Sequence, residues 1–364
     1  MQPQQKYSLI VAGGGTGGHI FAGVAVADAW RKRHGADARV IFVGAKGNLE
    51  ERLVPRAGYP LELLVLGSLK GASLGKRLQT LSRLPRALIH SSLILWREKP
   101  TAVIGVGGYA SGPLVMMASL LGWIWGARVA ILEQNAVPGF TNRILGWFAH
   151  VVLSAFPGVE SQFPAGKVRV TGNPVRESIV PAPSAARDPL TVFVFGGSLG
   201  ALGINNLVLE ALPILGSDLR RVRFIHQTGE KDFDRVLKGH QEAGSQARVE
   251  KFIYDMPAAY AESSLLICRA GSSTLAEVAA VGRASVLVPF PFASDNHQEK
   301  NARLFSDRGA ARLLVQAEAT GADLARLIQE ALSDPTELQR MESEVRQFYR
   351  PQAAQDIVEL LRST

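Results

Sequence analysis

The sequence predicts an α/β protein built from two doubly wound Rossmann-like domains in tandem. Three observations lead to this fold class. An apolar strand runs into a glycine-rich turn and then a helical stretch at two separate places, further apolar strands alternate with helical patterns in both halves, and a segment rich in proline and alanine separates the halves. Such alternation is typical of parallel sheets covered by helices on both faces. The 364 residues also exceed the length of about 250 to 300 at which single cores usually stop growing.

The first domain begins with the apolar residues 7–12, followed by GGGTGG at 13–18 and a helical stretch at 20–33. A buried strand that feeds a glycine turn at a helix N-terminus is how a doubly wound domain begins. Four further strands are predicted at 39–43, 102–106, 129–132 and 150–154. The uncharged stretch 100–127 is broken by glycines, and its helix-compatible part is too short for a membrane span, which needs about 20 residues. We therefore interpret it as a buried strand and a half-buried helix.

The second domain begins with the same order of strand, glycine turn and helix: an apolar strand at 190–195, GGSLG at 196–200 and another helical stretch. Its further strands are predicted at 223–227, 265–268 and 285–288. We expect an N-terminal domain at 1–172, a linker at 173–189, a C-terminal domain at 190–345 and a last helix at 346–364 that packs back on the N-terminal domain. Proline and alanine with few core residues mark the linker.

The amino-acid composition limits the classes of protein to which the chain can belong. The contents of 47% hydrophobic and 20% charged residues are those of a globular protein, and the single cysteine, Cys268, is compatible with a reducing cytosol. No secretory signal is expected from the N-terminal pattern. The net charge of +8 favours anionic partners.

The segment 67–97 carries six lysines and arginines, no acidic residue and interleaved leucines, which fits either a membrane-surface element or an ordinary solvated helix face. Nucleic acid is not expected as a partner, because the basic residues there are interleaved with leucines rather than with stacking aromatics, and no recognised nucleic-acid-binding module appears.

The turn at 13–18 is suited to phosphate, because glycines let the backbone approach an anion at a helix N-terminus. A nicotinamide dinucleotide would require an acidic residue about 20 positions later, at the end of the second strand. The chain has FVGA at 42–45 and QTG at 227–229 in the two matching places, which disfavours that cofactor. His19 follows the turn, at the predicted helix N-terminus, where the helix dipole disfavours a charged imidazole. His19 could therefore be a neutral proton acceptor. It could equally be a polar residue that only fills the first turn of the helix.

Other loops after strands also carry polar groups. Glu133, Gln134 and Asn135 end an apolar run and either face a ligand or cap a turn. Thr274 and Glu277 have the spacing of a capping box, although a carboxylate there could equally bind a ribose diol. Gln298 and Asn301 form an amide-rich patch suited to sugar hydroxyls. No metal site is expected, because no D-x-D pair follows a strand and no His/Cys cluster has metal spacing.

These motifs, taken in order, resemble the MurG family, the UDP-N-acetylglucosamine:lipid I N-acetylglucosaminyltransferases of the GT-B fold. The resemblance covers nearly the whole chain. It lies in GGTGGH (14–19), GGYASGP (107–113), EQN (133–135), GNPVR (172–176), GGSLGA (196–201), CRAGSSTLAE (268–277) and DNHQ (295–298) with a following NA (301–302).

The resemblance implies two domains facing across a cleft and inverting transfer of N-acetylglucosamine to the 4-hydroxyl of the muramoyl sugar of lipid I, the undecaprenyl-pyrophosphoryl-MurNAc-pentapeptide, to give lipid II for peptidoglycan. It implies no cofactor and no metal. The implied partners are UDP-N-acetylglucosamine, lipid I, an anionic membrane surface and a complex of cell-wall enzymes. The implied location is the cytoplasmic face of the cell membrane, where the enzyme would be peripheral. Residues 67–97 with Trp123, Ile124 and Trp125 match the family's membrane-associating patch.

Site residues follow from the same resemblance. His19 falls on the position of the general base, near Glu133 as a second catalytic residue. The positions that match contacts to UDP-N-acetylglucosamine are Thr16, Gly17, Gly18, Asn135, Arg176, Ser198, Ile253, Ser272, Ser273, Thr274, Glu277 and Gln298. The chain departs from the family pattern at Leu199, usually glutamine, and at Ala22, usually proline, and Leu199 removes one amide from the sugar end of the implied cleft.

Alternative functions remain open at this point. Within the GT-B fold they are a lipid glycosyltransferase with a diacylglycerol acceptor and a UDP-sugar epimerase. From another class, a non-catalytic nucleotide-sugar-binding protein would bind the donor and release no UDP with any acceptor.

Overall fold

The computed structural model describes residues 6–66, 74–182, 188–197 and 200–362, with the backbone alone for 74–82. The chain forms two compact units. The first consists of Met1–Arg176 and Arg350–Thr364, and the second of Glu177–Tyr349. The chain therefore leaves the first unit at Arg176, a few residues into the predicted linker, and returns to it at Arg350.

The described part of the first unit contains a seven-stranded, wholly parallel sheet with the order β3-β2-β1-β4-β5-β6-β7. The strands are β1 (Tyr7–Gly13), β2 (Ala38–Ala45), β3 (Leu61–Leu64), β4 (Ala102–Gly107), β5 (Arg128–Glu133), β6 (Val151–Ser154) and β7 (Val168–Val170). The helices are α1 (Gly17–His34), α2 (Glu50–Arg56), α3 (Leu74–Glu98), α4 (Ser111–Leu121), α5 (Phe140–Phe148) and, at the end of the chain, α13 (Ala353–Arg362).

Alternate residues of β1 enter two different cores, as expected for a strand whose successive side chains point to opposite faces. Leu9 and Val11 pack in a core with α1 and α13, whereas Ile10 and Ala12 pack in a core with α4 and α5. Helix α13 contributes Ile357, Val358 and Leu361 to the first of these cores. The last helix is thus an integral layer of the first unit.

The described part of the second unit contains a six-stranded parallel sheet with the order β10-β9-β8-β11-β12-β13. The strands are β8 (Leu190–Phe195), β9 (Val222–Gln227), β10 (Gln246–Glu250), β11 (Leu265–Cys268), β12 (Ala284–Leu287) and β13 (Arg312–Leu313). The helices are α6 (Leu202–Leu215), α7 (Phe233–Glu242), α8 (Met256–Glu262), α9 (Ser272–Val281), α10 (His297–Ser306), α11 (Gly321–Ser333) and α12 (Pro335–Arg346).

Both sheets have the strand order of a doubly wound fold. In each sheet the first strand in sequence lies in the interior, the next two strands extend the sheet to one edge, and the remaining strands extend it to the other edge. The predicted fold class and all nine predicted strands are present, with bounds that differ from the predicted ones by at most two residues. Sequence reasoning missed four strands, β3, β7, β10 and β13, and these are the outer strands of the two sheets. The uncharged stretch 100–127 forms the predicted strand and helix, β4 and α4, which are followed by a short 3-10 helix, Gly122–Trp125, that was not predicted. Among the described residues no helix is long and apolar enough to cross a membrane.

Candidate active site

The first candidate site lies where the strand order of the first sheet reverses, between β1 and β4. Ligands of open α/β sheets bind at such a switch point, outside the carboxyl ends of the strands. The loops that follow β1 and β4 are in direct contact, because the Gly14 N–H donates to the Gly107 carbonyl at 3.0 Å. Ser111 secures both loops: its hydroxyl donates to the Ala12 carbonyl at 2.9 Å and accepts from the Gly107 N–H at 3.3 Å. The two glycine motifs therefore form one structural unit.

Glycine is required in these loops because their backbones touch. A Cβ on Gly13 would lie 2.1 Å from the Gly107 carbonyl oxygen, and a Cβ on Gly108 would lie 2.4 Å from that of Gly14. Gly108 also has a φ of +86°, a region that side chains disfavour. The neighbouring Gly15 has a φ of +82°, but a Cβ there would meet none of the described residues within 4 Å. Gly15 thus lies beside open space, as a loop that admits a ligand would require.

His19 lies in the first turn of α1. The hydroxyl of Thr16, the N-cap residue, accepts from the His19 N–H at 3.4 Å. The His19 Nδ1 is 3.0 Å from the Gly14 carbonyl oxygen. A carbonyl can only accept, so Nδ1 must carry a proton, and in the neutral ring Nε2 is then the proton-accepting nitrogen. The Nε2 edge of the ring lies beside Gly107, because a Cβ added to Gly107 would be 2.8 Å from His19 Nε2.

Glu50, at the start of α2, anchors the loop after β1. Its side chain is 1% exposed, and its two oxygens accept from the Gly15 N–H at 2.8 Å and the Ala45 N–H at 2.9 Å. Sequence reasoning looked for an acidic residue at the end of β2 and correctly found none there. The structure places one five residues after Ala45, where the chain turns back, and it binds protein backbone.

Glu133 ends β5 and organises the turn that follows. Its carboxylate accepts four hydrogen bonds, from the N–H and the side-chain amide of Asn135, the Gly139 N–H and the side-chain amide of Asn142, at 2.9 to 3.3 Å. Burial raises the pKa of Glu133 above its usual range, and these hydrogen bonds oppose the rise by favouring the carboxylate. Gln134 fixes the same turn to β4 by donating to the Val106 carbonyl at 3.1 Å.

Arg176 lies beside the same helix that carries His19. Its guanidinium is 4.2 Å from the ring centroid of Phe21, in the geometry of a cation–π contact. The first unit therefore brings together Thr16, Gly17, Gly18, His19 and Arg176 around the N-terminal part of α1. Glu133 ends β5, the neighbour of β4 in the sheet, and Asn135 follows it.

The second candidate site lies at the matching switch point of the second sheet, between β8 and β11. Helix α9 starts at Ser272, and its N-cap residue, Gly271, has no side chain to cap the first turn. The first backbone N–H groups of a helix have no intrahelical acceptor, and the helix dipole adds positive potential there. The backbone of Ser272, Ser273 and Thr274 thus forms a suitable anion-binding turn.

Glu277 is not part of a capping box, so that interpretation of the sequence was wrong. Because α9 starts at Ser272, Thr274 is its third residue rather than its N-cap, and Glu277 lies in the second turn. The Glu277 carboxylate accepts from the Tyr260 hydroxyl at 2.9 Å, and Tyr260 is fully buried. This contact fixes the direction in which the carboxylate leaves the helix.

The loop after β12 is held by polar contacts of three side chains. Gln298 accepts from the Phe290 N–H at 2.9 Å through Oε1, and Asn301 donates to the Ala270 carbonyl at 3.3 Å. The Arg269 guanidinium donates to the carbonyls of Val288 and Pro289, both at 3.0 Å, and burial lowers its pKa to about 10. These contacts tie the loop before α10 to the loop before α9.

Ile253 is buried and lies beyond β10, where its N–H donates to the Gln227 side chain at 2.8 Å. Ser198 and Leu199 lie outside the described residues. Across the residues that the structure describes, no three His, Cys, Asp or Glu side chains are grouped so as to hold a metal ion.

Comparison with known proteins assigns the chain to a family. Residues 9–154 match the model of the glycosyltransferase family 28 N-terminal domain, and residues 191–359 match that of the C-terminal domain. The chain is 46% identical over 355 residues to a protein of Myxococcus xanthus named UDP-N-acetylglucosamine--N-acetylmuramyl-(pentapeptide) pyrophosphoryl-undecaprenol N-acetylglucosamine transferase, with 97% of this chain and 91% of that protein covered. The chain belongs to the MurG family of glycosyltransferases.

Two further similarities agree with this family. A protein of the same name from Anaeromyxobacter sp. strain K is 44% identical, with 97% of this chain and 91% of that protein covered. The crystal structure of Acinetobacter baumannii MurG matches with a TM-score of 0.77 at 33% identity, over 98% of this chain and all of that one. This MurG-family chain accordingly has the GT-B fold that the motifs predicted, with one Rossmann-like sheet in each unit.

Sequence reasoning missed three polar residues that shape the sites of this MurG-family chain: Glu50, Asn142 and Gln227. None lies within a motif that carried the resemblance. Their common signal is a single polar residue close to a predicted strand end or helix start, which on its own does not distinguish a backbone anchor from a solvated side chain.

Proposed function

We propose that this MurG-family N-acetylglucosaminyltransferase moves N-acetylglucosamine from UDP-N-acetylglucosamine to the 4-hydroxyl of the muramoyl sugar of lipid I and thereby forms lipid II for peptidoglycan. Its similarity to the M. xanthus transferase, whose name specifies this donor sugar and acceptor, supports the substrate pair. The observation that carries the chemistry is the hydrogen bond from His19 Nδ1 to the Gly14 carbonyl, because it leaves Nε2 as the proton acceptor.

In the reaction, the neutral His19 removes the proton of the acceptor hydroxyl through Nε2. The hydroxyl oxygen forms the new glycosidic bond to the anomeric carbon, and the bond from that carbon to the diphosphate oxygen breaks, so that UDP leaves with the electron pair. Attack opposite the leaving group inverts the configuration at the anomeric carbon. Proton removal of this kind typically contributes about 10²- to 10⁴-fold to the rate.

The second unit binds the donor in this proposal. Backbone N–H groups of Ser272, Ser273 and Thr274 at the start of α9 bind the diphosphate and stabilise the charge that develops on departing UDP. Glu277, directed by Tyr260, accepts hydrogen bonds from the ribose. Ser198, Ile253 and Gln298 complete the donor contacts of this unit. The family resemblance assigns donor contacts in the first unit to Thr16, Gly17, Gly18, Asn135 and Arg176.

Glu133 serves catalysis through the shape of its turn. Its carboxylate accepts from four N–H donors, three of them belonging to Asn135 and Asn142, and this arrangement fixes the backbone that carries Asn135. We therefore assign proton removal to His19 and the orientation of Asn135 to Glu133.

We further propose that the first unit contacts an anionic membrane surface, where a membrane-anchored acceptor is available. Helix α3 exposes Ile89, Leu93 and Trp96 at helical spacing, and its Arg83 and Arg86 supply positive charge. The 3-10 helix that follows α4 exposes Trp123 (77%) and Ile124, while Trp125 packs against Trp96 with ring centroids 5.6 Å apart. Exposed apolar side chains of this kind, flanked by basic residues, are typical of membrane-surface elements.

Release of UDP from UDP-N-acetylglucosamine, with and without a short-chain lipid I analogue, tests the transfer. We expect release only when the acceptor is present, together with a disaccharide-linked product. Release without acceptor would indicate hydrolysis, and conversion of the donor to another UDP-sugar without release would indicate an epimerase. Tight donor binding with no release in the presence of lipid I or a diacylglycerol acceptor would leave the binding-protein alternative.

A further inference from the structure

Gln227, the last residue of β9, connects two loops of the second unit with one side chain. It is 3% exposed. Its Nε2 donates to the Gly197 carbonyl at 2.9 Å, and its Oε1 accepts from the Ile253 N–H at 2.8 Å. Gly197 follows β8 and Ile253 follows β10, the two strands that flank β9 in the sheet. The side chain therefore spans the carboxyl ends of three adjacent strands.

The amide is the chemical group that this place requires. It must donate on one side, because the Gly197 carbonyl can only accept, and it must accept on the other, because the Ile253 N–H can only donate. A carboxylate would satisfy Ile253 but repel the Gly197 oxygen. Many dinucleotide-binding domains have an acidic residue at the end of this strand to bind ribose hydroxyls. In this chain the corresponding side chain instead holds its own backbone.

Backbone contacts also hold the two loops at this end of the sheet. Backbone hydrogen bonds join β9 to the β10 side, from the Thr228 N–H to the Glu250 carbonyl at 3.0 Å and from the Gly229 N–H to the Lys251 carbonyl at 3.1 Å. On the β8 side, the Gly200 N–H bonds within its own loop, to the Gly197 carbonyl at 3.0 Å. Gly200 also packs closely on the end of β9, where a Cβ added to Gly200 would lie 2.0 Å from the Thr228 carbonyl oxygen. Gln227 adds a direct side-chain link between Gly197 and Ile253.

We propose that Gln227 is a positioning residue for the nucleotide sugar, which acts by holding the Gly197 loop and Ile253 at the separation that the bound donor requires. This inference rests on the proposed function, in which Ser198, next to Gly197, and Ile253 contact UDP-N-acetylglucosamine. Loss of both hydrogen bonds weakens donor binding, whereas the chemistry at His19 is unaffected once the donor is bound.

The test compares Gln227→Leu and Gln227→Glu with the unaltered chain. For Gln227→Leu we expect the KM and the calorimetric Kd for UDP-N-acetylglucosamine to rise about tenfold to a hundredfold, since two hydrogen bonds are lost, with kcat within about threefold. For Gln227→Glu we expect an affinity that improves as the pH falls, because the protonated acid can donate to the Gly197 carbonyl again. The unaltered chain should show no such improvement.

A fall in kcat at unchanged KM and Kd would overturn the proposal, and so would a Gln227→Glu variant whose donor affinity follows the same pH profile as the unaltered chain. Circular dichroism and the thermal midpoint identify a variant that fails to fold, and the pH profile of Gln227→Glu then decides, because it compares one folded variant with itself. The donor Kd needs no acceptor. Donor binding that depends on Gln227 therefore supports this inference even if lipid I fails as the acceptor, which would refute only the proposed function.

Discussion

The Nδ1 of His19 and the carbonyl oxygen of Gly14 are 3.0 Å apart, and this contact determines which nitrogen of the imidazole can accept a proton. Two features of the chain produce it. Glycines at 13–15 turn the backbone so that the Gly14 carbonyl faces the helix start, and Thr16 as N-cap begins α1 so that His19 lies in its first turn. The glycine turn therefore orients the candidate base as well as leaving room for a ligand.

Replacing His19 should separate proton removal from loop positioning. In His19→Asn the side-chain amide can still donate to the Gly14 carbonyl but has no basic nitrogen, whereas His19→Ala loses both functions. We expect both variants to lower kcat by about 10²- to 10⁴-fold, with donor affinity in His19→Asn near that of the unaltered chain. Steady-state UDP release and calorimetry provide the two measurements. Full turnover in His19→Asn would remove His19 from the role of base.

The contact between the two glycine motifs can be tested with a matched pair of alanine substitutions. Gly15→Ala and Gly108→Ala both place a side chain at positive φ, which is unfavourable by about 1 to 2 kcal/mol. Only the Gly108 variant also collides with backbone, 2.4 Å from the Gly14 oxygen. We expect the free energy of unfolding to fall by at least about 2 kcal/mol more in Gly108→Ala than in Gly15→Ala. Equal losses in urea denaturation would contradict the backbone contact.

Glu50 should matter for stability far more than its neighbour Glu51. Removal of the Glu50 side chain in Glu50→Ala leaves the buried N–H of Ala45 without its acceptor, which costs about 1 to 3 kcal/mol, and it also removes the acceptor of the partly buried hydrogen bond from the Gly15 N–H. We expect a loss of about 2 to 5 kcal/mol in the free energy of unfolding. Glu51→Ala is the control, because Glu51 is exposed and accepts from the exposed Gly47 N–H. Similar denaturation midpoints for the two variants would refute this assignment.

A buried histidine pair in the second unit predicts a dependence of stability on pH. His226 Nδ1 lies 3.1 Å from His240 Nε2, His226 Nε2 lies 3.1 Å from the Asn205 side-chain oxygen, and Ser245 contacts the other side of His240. Burial lowers the pKa of His226 to about 3, with His240 adding to the shift, and burial lowers the pKa of His240 to about 4. Nearby Asp232, which is paired with Arg235, only partly offsets the shift at His226.

Both pKa values lie below the value of about 6.5 in the unfolded chain, so the unfolded chain binds more protons between pH 6.5 and pH 4. Stability should therefore fall as the pH falls through that window, by up to about 1.4 kcal/mol per pH unit for each histidine. His240→Gln removes one titrating group and retains a side-chain donor toward His226. We expect a shallower decrease in the urea midpoint between pH 6.5 and 4.5 than in the unaltered chain, and parallel curves would contradict the assignment.

Binding to anionic vesicles should depend on the charge of α3. Arg83→Glu with Arg86→Glu should weaken binding at least about tenfold in low salt, because each basic residue near an anionic surface contributes about 1 kcal/mol. The matched control is Arg220→Glu with Arg221→Glu, the same change of charge on exposed residues of the second unit. Vesicle co-sedimentation at two ionic strengths is the measurement. Equal weakening by the two double variants would indicate a response to net charge alone and refute a contact at α3.

The helix α5 offers a further test of that surface. It exposes Phe140, Ile144 and Trp147, the last of these 69% exposed, and it packs beside α4. If the membrane contact extends from α3 across α4 to α5, Trp147→Ser should reduce vesicle binding as Trp123→Ser does. Undiminished binding by Trp147→Ser would confine the contact to α3 and the 3-10 helix after α4.

The strands that sequence reasoning found and those that it missed differ in their position in the sheets. The nine predicted strands include every inner strand, and inner strands such as β1 and β8 are buried on both faces, which gives continuous apolar runs. The outer strands β7 and β10 are short or partly exposed and carry polar residues such as Arg169, Gln246 and Glu250. Their pairing depends on a neighbouring strand already in place, so their local sequence contains little signal.

The sequence by itself determined the fold class and the family and indicated His19 as a candidate base, because each depends on a local pattern: a buried strand, a turn that requires glycine, or a motif of adjacent residues. Tertiary structure alone decided which groups anchor those motifs. Glu50 holds the loop after β1, Asn142 donates a hydrogen bond to the Glu133 carboxylate, and Gln227 joins the loops after β8 and β10. Such anchors act between residues far apart in sequence or on either side of a turn, where a hydrogen bond depends on a distance that only the folded backbone sets.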